Sequence, residues 1–234
     1  MQQTISEAKR IADLDAPILI FGETGTGKEM LAKACHQSSR RADKAFLALN
    51  CGALPDNVAE TELFGYAAGT FNQTEGKAGL LELAAGGTLL LDEIADMSVH
   101  LQAKLLRVLE DGEFRRVGDV NPVAVDVRFI CTTCQDMGQL VDEGKFRKEL
   151  YYRLNVLGLV VPALRERRSD IVRLSESFIL QHSAKLGRRP AKLSKSCVEF
   201  LQQYPWPGNV RQLQNALFRA LSLLDGNEIT KEDI

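Results

Sequence analysis

Short, wholly apolar runs alternate with amphipathic stretches along this chain as far as Pro162. Thr4 to Leu14 spaces its apolar residues at helical intervals, and Pro17-Ile-Leu-Ile-Phe21 then reads as a strand buried on both faces. A glycine-rich turn leads into a helical stretch from Lys28 to about Ser38, and Phe46-Leu-Ala-Leu49 is the next strand. Gly86-Gly87 marks the start of another, Thr88 to Leu91. Gln102 to Leu109 has a helical pattern, with apolar residues at 105, 106 and 109. Val127 to Cys131 and Val156 to Val161 complete five apolar runs. Such alternation predicts a parallel sheet covered by helices on both faces. After Pro162 the strand-like runs stop. Three helical segments, about 169–186, 194–203 and 209–224, predict a small all-helical domain. The boundary falls near Pro162–Arg168, dividing the chain into 1–165 and 166–234. The polar loop from Gly65 to Lys77 holds three glycines and is long enough to carry function.

Composition narrows the functional classes. With 234 residues, 45% hydrophobic and 26% charged, the chain can bury a sizeable core, and disorder is not expected over most of it. Lys plus Arg is 29 against 31 for Asp plus Glu, so bulk charge does not make it a nucleic-acid coat. Any DNA contact needs a local basic patch or a separate module. No apolar run approaches the roughly 18 residues that span a bilayer, and Met1 to Lys9 lacks the apolar core of a signal peptide. Five cysteines, scattered at 35, 51, 131, 134 and 197, fit reduced thiols in a cytoplasm. Cys131-Thr-Thr-Cys134 has C-x-x-C spacing but no second such pair, and reads as two buried thiols. His36, His100 and His182 lack ligand spacing, so no zinc site is expected. Trp206 is expected to pack between helices of the C-terminal domain.

The strongest chemical signal lies between the first strand and the helix after it. Gly22, Glu23, Thr24, Gly25, Thr26, Gly27 and Lys28 have the spacing G-x-x-x-x-G-K. Glycines let successive backbone N–H groups turn inward around an anion. The following helix points its positive dipole end at the phosphates, and the lysine reaches their outer oxygens. The alternative is a purely structural glycine turn, which would have to match this spacing by chance between a strand and a helix. The generic motif continues with a Ser or Thr that ligates Mg²⁺, whereas Glu29 stands here. Metal ligation then falls on another acid, and Leu89-Leu-Leu-Asp92-Glu93 supplies a strand ending in two carboxylates. Neighbouring strand residues point to opposite sides. Asp92 is therefore expected to hold Mg²⁺ through water while Glu93 acts as base toward the attacking water.

Together these residues resemble the AAA+ ATPase domain of bacterial enhancer-binding proteins, the activators of sigma-54 RNA polymerase. The resemblance spans nearly the whole chain. It rests on Gly22 to Glu29, Glu62-Leu-Phe-Gly65, Gly86 to Glu93, Phe146-Arg147, Tyr152-Arg-Leu-Asn155, Pro162-Ala-Leu-Arg-Glu-Arg167 and Trp206-Pro-Gly-Asn-Val-Arg211. It implies an α/β, three-layer P-loop AAA+ domain with a parallel five-stranded sheet, then a small all-helical lid, with ATP and Mg²⁺ as cofactors. In that family Glu replaces the P-loop Ser/Thr as a rule. The resemblance further implies that Asn50 is a switch holding the catalytic Glu93, and that Thr133 is a first sensor near the γ-phosphate. The family has Asn at the next position, where this chain has Cys134. Arg211 matches a second sensor reaching the nucleotide from the lid. Arg147 and Arg153 match arginine fingers acting on a neighbouring subunit's ATP; on one continuous helix they would stand roughly 120° apart.

The long loop departs from that family. Sigma-54 activators carry Gly-Ala-Phe-Thr-Gly-Ala at its tip, where this chain reads Gly69-Thr-Phe-Asn-Gln-Thr74, and the stretch before Gly79 is one residue short. With Ala48-Leu-Asn-Cys51, Tyr151 to Leu157, Val210 to Leu221 and Leu224-Asp-Gly226, this is similar to the TyrR-type branch. Those regulators control genes of aromatic amino acid synthesis and transport through the housekeeping polymerase. The resemblance implies self-assembly from dimer to hexamer with ATP and an aromatic effector, tyrosine or phenylalanine, bound elsewhere. It implies RNA polymerase as a partner, no membrane, and DNA contact through a C-terminal helix-turn-helix outside this chain. Only ten residues follow Leu224, which suits a fragment of a longer regulator. The alternative is an ATP-hydrolysing sigma-54 activator that remodels the polymerase, which the intact Asp92–Glu93 pair supports and the loop tip opposes.

Overall fold

The structure, a computed structural model, describes residues 1–70 and 74–234. The expectation at the loop tip falls largely on Phe71, Asn72 and Gln73, outside the described residues. The chain forms two compact units. One comprises Gln2–Phe21 and Lys28–Val160; the other comprises Gly22–Gly27, Val161–Ile234 and Met1.

The first unit runs α1 (Gln2–Ile11), β1 (Ile18–Phe21), α2 (Lys28–Gln37), β2 (Phe46–Asn50), α3 (Asp56–Phe64), α4 (Leu80–Leu83), β3 (Thr88–Asp92) and α5 (Val99–Asp111). A short antiparallel pair follows, β4 (Glu113–Arg115) with β5 (Pro122–Ala124). Then come β6 (Arg128–Thr133), α6 (Met137–Asp142), α7 (Lys148–Leu154) and β7 (Leu157–Val160). Five strands make one parallel sheet in the order β2-β3-β6-β1-β7. The five apolar runs are these five strands.

Alternation along each strand splits the apolar residues between two layers. Leu19, Leu49, Leu89, Leu91, Phe129 and Cys131 join one core with α3, α5 and α7 through Leu63, Phe64, Leu105 and Leu150. Ile18, Ile20, Leu90 and Ile130 are equally buried on the other face, where α2 and α1 lie. The helix expected through Leu14 stops at Ile11. Its last carbonyls are taken by the buried Arg128, whose guanidinium donates to Ala12 O and to Ile11 O at 3.3 Å. The long loop is tied at its base: Tyr66 and Lys77 exchange backbone hydrogen bonds of 3.0 and 2.9 Å, and Ala67 N–H donates to Val117 O at 2.9 Å.

The second unit is helical, with α8 (Ser169–Lys185), α9 (Lys195–Gln203) and α10 (Asn209–Leu223). A two-residue parallel pair, β8 (Lys192–Leu193) and β9 (Glu228–Ile229), brings its later segments together. Its core gathers Ile171, Ile179, Leu201, Trp206, Leu213 and Leu217. Trp206 is buried there as expected, its indole N–H donating to Leu201 O at 2.7 Å and its ring edge-on to Tyr204. Among the described residues, no helix is long and apolar enough to cross a membrane.

His182 gives this helical core an acid sensitivity. It is buried between the rings of Phe178 and Phe218, and neither ring nitrogen has a hydrogen-bond partner among the described residues. Burial, helped by Lys185, holds its pKa below the ordinary histidine value. The unfolded chain takes up the proton near pH 6.5, while the folded chain does so only at lower pH. The stability at stake is present above about pH 6.5 and is lost as pH falls, by up to about 1.4 kcal/mol per unit. Replacing His182 with Phe is expected to flatten the fall in urea midpoint between pH 7 and pH 5. An equal fall in both proteins would assign the acid sensitivity to other groups.

Candidate functional site

The carboxyl ends of the sheet strands carry the acid pair, the edge where open parallel sheets present ligand sites. In the β2–β3 ladder Asn50 stands opposite Asp92. That register decides what Asn50 touches: its Nδ2 donates to Asp92 Oδ2 at 3.1 Å, and its Oδ1 accepts the Gly52 N–H. Asn50 thus joins the acid pair through Asp92. Asp92 also accepts from the Thr132 hydroxyl at 2.5 Å, so both of its oxygens are fixed.

Glu93 leaves the strand altogether. Its backbone stands at φ 52°, a left-handed conformation that costs a non-glycine residue of the order of 1 kcal/mol. The turn is held by its N–H donating to Thr132 Oγ1 at 3.1 Å. Its carboxylate pairs with the Lys28 ammonium at 2.9 Å and accepts the Cys134 N–H at 2.9 Å. Burial pushes the Glu93 pKa up, but Lys28 and the Cys134 contacts outweigh it and keep the group below the usual carboxylate range. Lys28 itself is only 6% exposed. Cys51, buried beside this acid group, has its thiol pushed up to about 12 by burial and then by Asp92, Asp96 and Glu93. It is an inert packing residue.

Thr132 is the residue sequence reasoning missed: one hydroxyl serves both acids. The hydroxyl of Thr133, the expected sensor, accepts the Gln135 N–H at 3.1 Å. The C-x-x-C expectation is half wrong. Cys131 is buried in β6, but Cys134 follows the last strand residue and is exposed.

The phosphate-type loop Gly22–Gly27 belongs to the helical unit, and chain continuity puts Lys28 and Glu29 at the start of α2. Gly25 and Gly27 stand at φ 78° and 100°, which side chains rarely adopt. A Cβ on Gly25 would also meet Gly208 O at 2.4 Å. The Thr26 hydroxyl closes the turn onto Glu23 O at 2.7 Å. The Glu23 carboxylate is turned to Arg165, in a two-pronged pair of 2.8 and 2.5 Å, and to Asn209 Nδ2 at 3.1 Å. Those partners hold its pKa down to about 2. Arg211 lies in the first turn of α10, its N–H donating to Gly25 O at 3.3 Å. Arg165, Arg167 and Asn209 all lie inside motifs that marked the family resemblance, but nothing in their spacing assigned them to the loop.

Arg147 and Arg153 do not share one helix. Arg147 is the residue just before α7, and its N–H donates to Gln102 Oε1 at 2.8 Å. Arg153 lies within α7 and donates through Nε and Nη2 to Leu109 O at 3.2 and 3.0 Å. Both are exposed. The 120° relation expected for one continuous helix therefore does not apply.

Comparison with known proteins points the same way. Residues 1–160 match the Sigma-54 interaction domain, and residues 165–234 match the AAA+ ATPase lid domain. The chain is 54% identical over its full length to the HTH-type transcriptional regulatory protein TyrR of Enterobacter agglomerans, of which it covers 45%. It is 45% identical over 99% of its length to the regulatory protein LuxO of Vibrio vulnificus, of which it covers 51%. The chain thus spans about half the length of these relatives. A crystal structure of NtrX from Brucella abortus in complex with ATP is 39% identical, with a TM-score of 0.93 over the whole chain and 52% of that protein.

Proposed function

We propose that this chain, which belongs to the Sigma-54 interaction domain family and carries a AAA+ ATPase lid domain, acts as the ATP-binding central domain of a TyrR-like transcription regulator. The observation that carries the reading is the loop itself. Gly25 and Gly27 stand at positive φ in a loop between a buried strand and a helix that opens on Lys28. Such a loop fits the tail of a nucleoside triphosphate, with backbone N–H groups and one ammonium as its donors.

Bound MgATP would supply the γ-phosphoryl group and the charge that makes it reactive. Gly22, Glu23, Thr24, Gly25, Thr26 and Gly27 contribute the loop backbone, and Lys28 contributes positive charge toward the outer phosphates. Asp92, fixed by Thr132 and Asn50, is oriented to hold Mg²⁺ through water, the Ser/Thr ligand being replaced by Glu29. Glu93 is the base for water, kept ionised by Lys28. Arg211 acts as the second sensor and Thr133 as the first. Arg147 and Arg153, exposed, serve a neighbouring subunit's nucleotide. In the whole regulator, ATP and an aromatic amino acid, tyrosine or phenylalanine, shift a cytoplasmic dimer to a hexamer. A helix-turn-helix outside this chain holds DNA, and RNA polymerase is the partner. Sedimentation of the full-length regulator with ATP and tyrosine is expected to give a particle about three times the mass of the ligand-free dimer. Unchanged mass with both ligands would refute the assembly step.

A second reading is an ATP-hydrolysing activator of sigma-54 polymerase. The intact acid pair favours it, with Glu93 ionised and Asp92 oriented. Transcription reconstituted with sigma-54 polymerase separates the two, since activation from a sigma-54 promoter is expected only of the motor.

A further inference from the structure

We infer that Asn209, Glu23, Arg165 and Arg167 are positioning residues that set the direction of the phosphate loop's peptide groups. The inference rests on the reading of Gly22–Lys28 as a nucleotide site and adds what presets that site.

Three successive loop carbonyls are held by donors from their own helical unit. Thr24 O accepts from Asn209 Nδ2 at 3.1 Å. Gly25 O accepts from the Val210 N–H at 2.9 Å and the Arg211 N–H at 3.3 Å. Thr26 O accepts from Arg167 Nη2 at 2.7 Å. In a planar trans peptide the C=O and the following N–H point in opposite directions. Holding these carbonyls toward the helical segment therefore turns the N–H groups of Gly25 and Gly27 away from it, the orientation an anion requires. The Thr26 N–H is already engaged, closing on Glu23 O at 3.3 Å.

The donors are themselves held. Asn209 is fully buried at φ 51°, and its Oδ1 accepts the Leu164 N–H at 2.8 Å, which fixes its amide with the NH₂ group toward the loop. That NH₂ group also meets Glu23, which Arg165 grips from the other side. The pair neutralises a carboxylate that would otherwise repel phosphate from within the loop. The benefit is reciprocal. Gly208, the residue before α10, offers no side-chain cap, and the Gly25 carbonyl satisfies two of that helix's leading N–H groups.

The test is a double-mutant cycle on ATP binding, read by calorimetry with thermal melts in parallel, on wild type, Glu23→Gln, Asn209→Asp and the double variant. Asn209→Asp replaces the donor facing two oxygens by a carboxylate and is expected to weaken ATP about tenfold or more. Adding Glu23→Gln gives that carboxylate an amide partner and is expected to recover severalfold, a coupling that loss of packing alone would not produce. If Asn209→Asp fails to fold, the exposed Glu23→Gln carries the test alone: melting unchanged and ATP severalfold weaker. Wild-type affinity in the folded variants, or strict additivity, would overturn the positioning role and leave the nucleotide site standing. Wild type failing to bind ATP would instead overturn the nucleotide reading, and this inference with it.

Discussion

Replacing Lys28 with Ala is expected to raise the dissociation constant for ATP about a hundredfold or more. The ammonium sits almost out of water at the start of α2, held by Glu93 at 2.9 Å. Each charge-assisted hydrogen bond to a phosphate oxygen is worth about 1.5–3 kcal/mol, and two such bonds at the lower figure give about 3 kcal/mol. Every 1.4 kcal/mol is tenfold in affinity. The substitution also strips Glu93 of the cation that pairs it, leaving a half-buried carboxylate free to repel a triphosphate. Calorimetric titration of both proteins measures the effect, with melting curves to show that the variant is folded. Equal affinities would remove Lys28 from the site.

Glu93→Gln acts in the opposite direction on binding. The variant keeps the shape of the side chain but loses the charge that competes for Lys28, so ATP affinity is expected to hold or rise a few-fold. Proton removal from water is lost at the same time. Phosphate release by the wild-type chain, the premise of the motor reading, should then fall by about 10²–10⁴, the usual contribution of a positioned base. The burial that raises the Glu93 pKa is outweighed by Lys28 and Cys134. The group therefore stays ionised through the neutral range, and its protonation should not limit the wild-type rate there. Release unchanged in the variant would exclude Glu93 as base. Wild type binding ATP without measurable release would favour a nucleotide-gated assembly module over a motor.

Much of this is legible in the amino-acid sequence. Ile18–Phe21, Phe46–Asn50, Thr88–Asp92 and Arg128–Thr133 form strands where continuous apolar runs predict them. The three inner ones are buried on both faces, which leaves little room for polar side chains, while Phe46–Asn50 lies at the sheet edge and buries only Leu49. The Gly22–Lys28 loop and the Asp92–Glu93 pair stood out because their chemistry is local. What was not legible depends on pairing between segments distant in sequence. That Asn50 touches Asp92 follows from β2 lying beside β3 in one register. That Thr132 serves both acids follows from β6 lying beside β3 and from Glu93 turning to φ 52°. No propensity rule places a glutamate there. Asn209 reaches Thr24 across 185 residues, a contact with no periodic trace in the sequence. Arg147 dropped out of its helix because α7 begins one residue later.

Crystals of the chain soaked with ATP and Mg²⁺ test the central claim most directly. The expected result is density for a triphosphate along Gly22–Gly27 with its outer oxygens on Lys28. Nucleotide bound elsewhere, or a loop with no phosphate on it at saturating ATP, would contradict it.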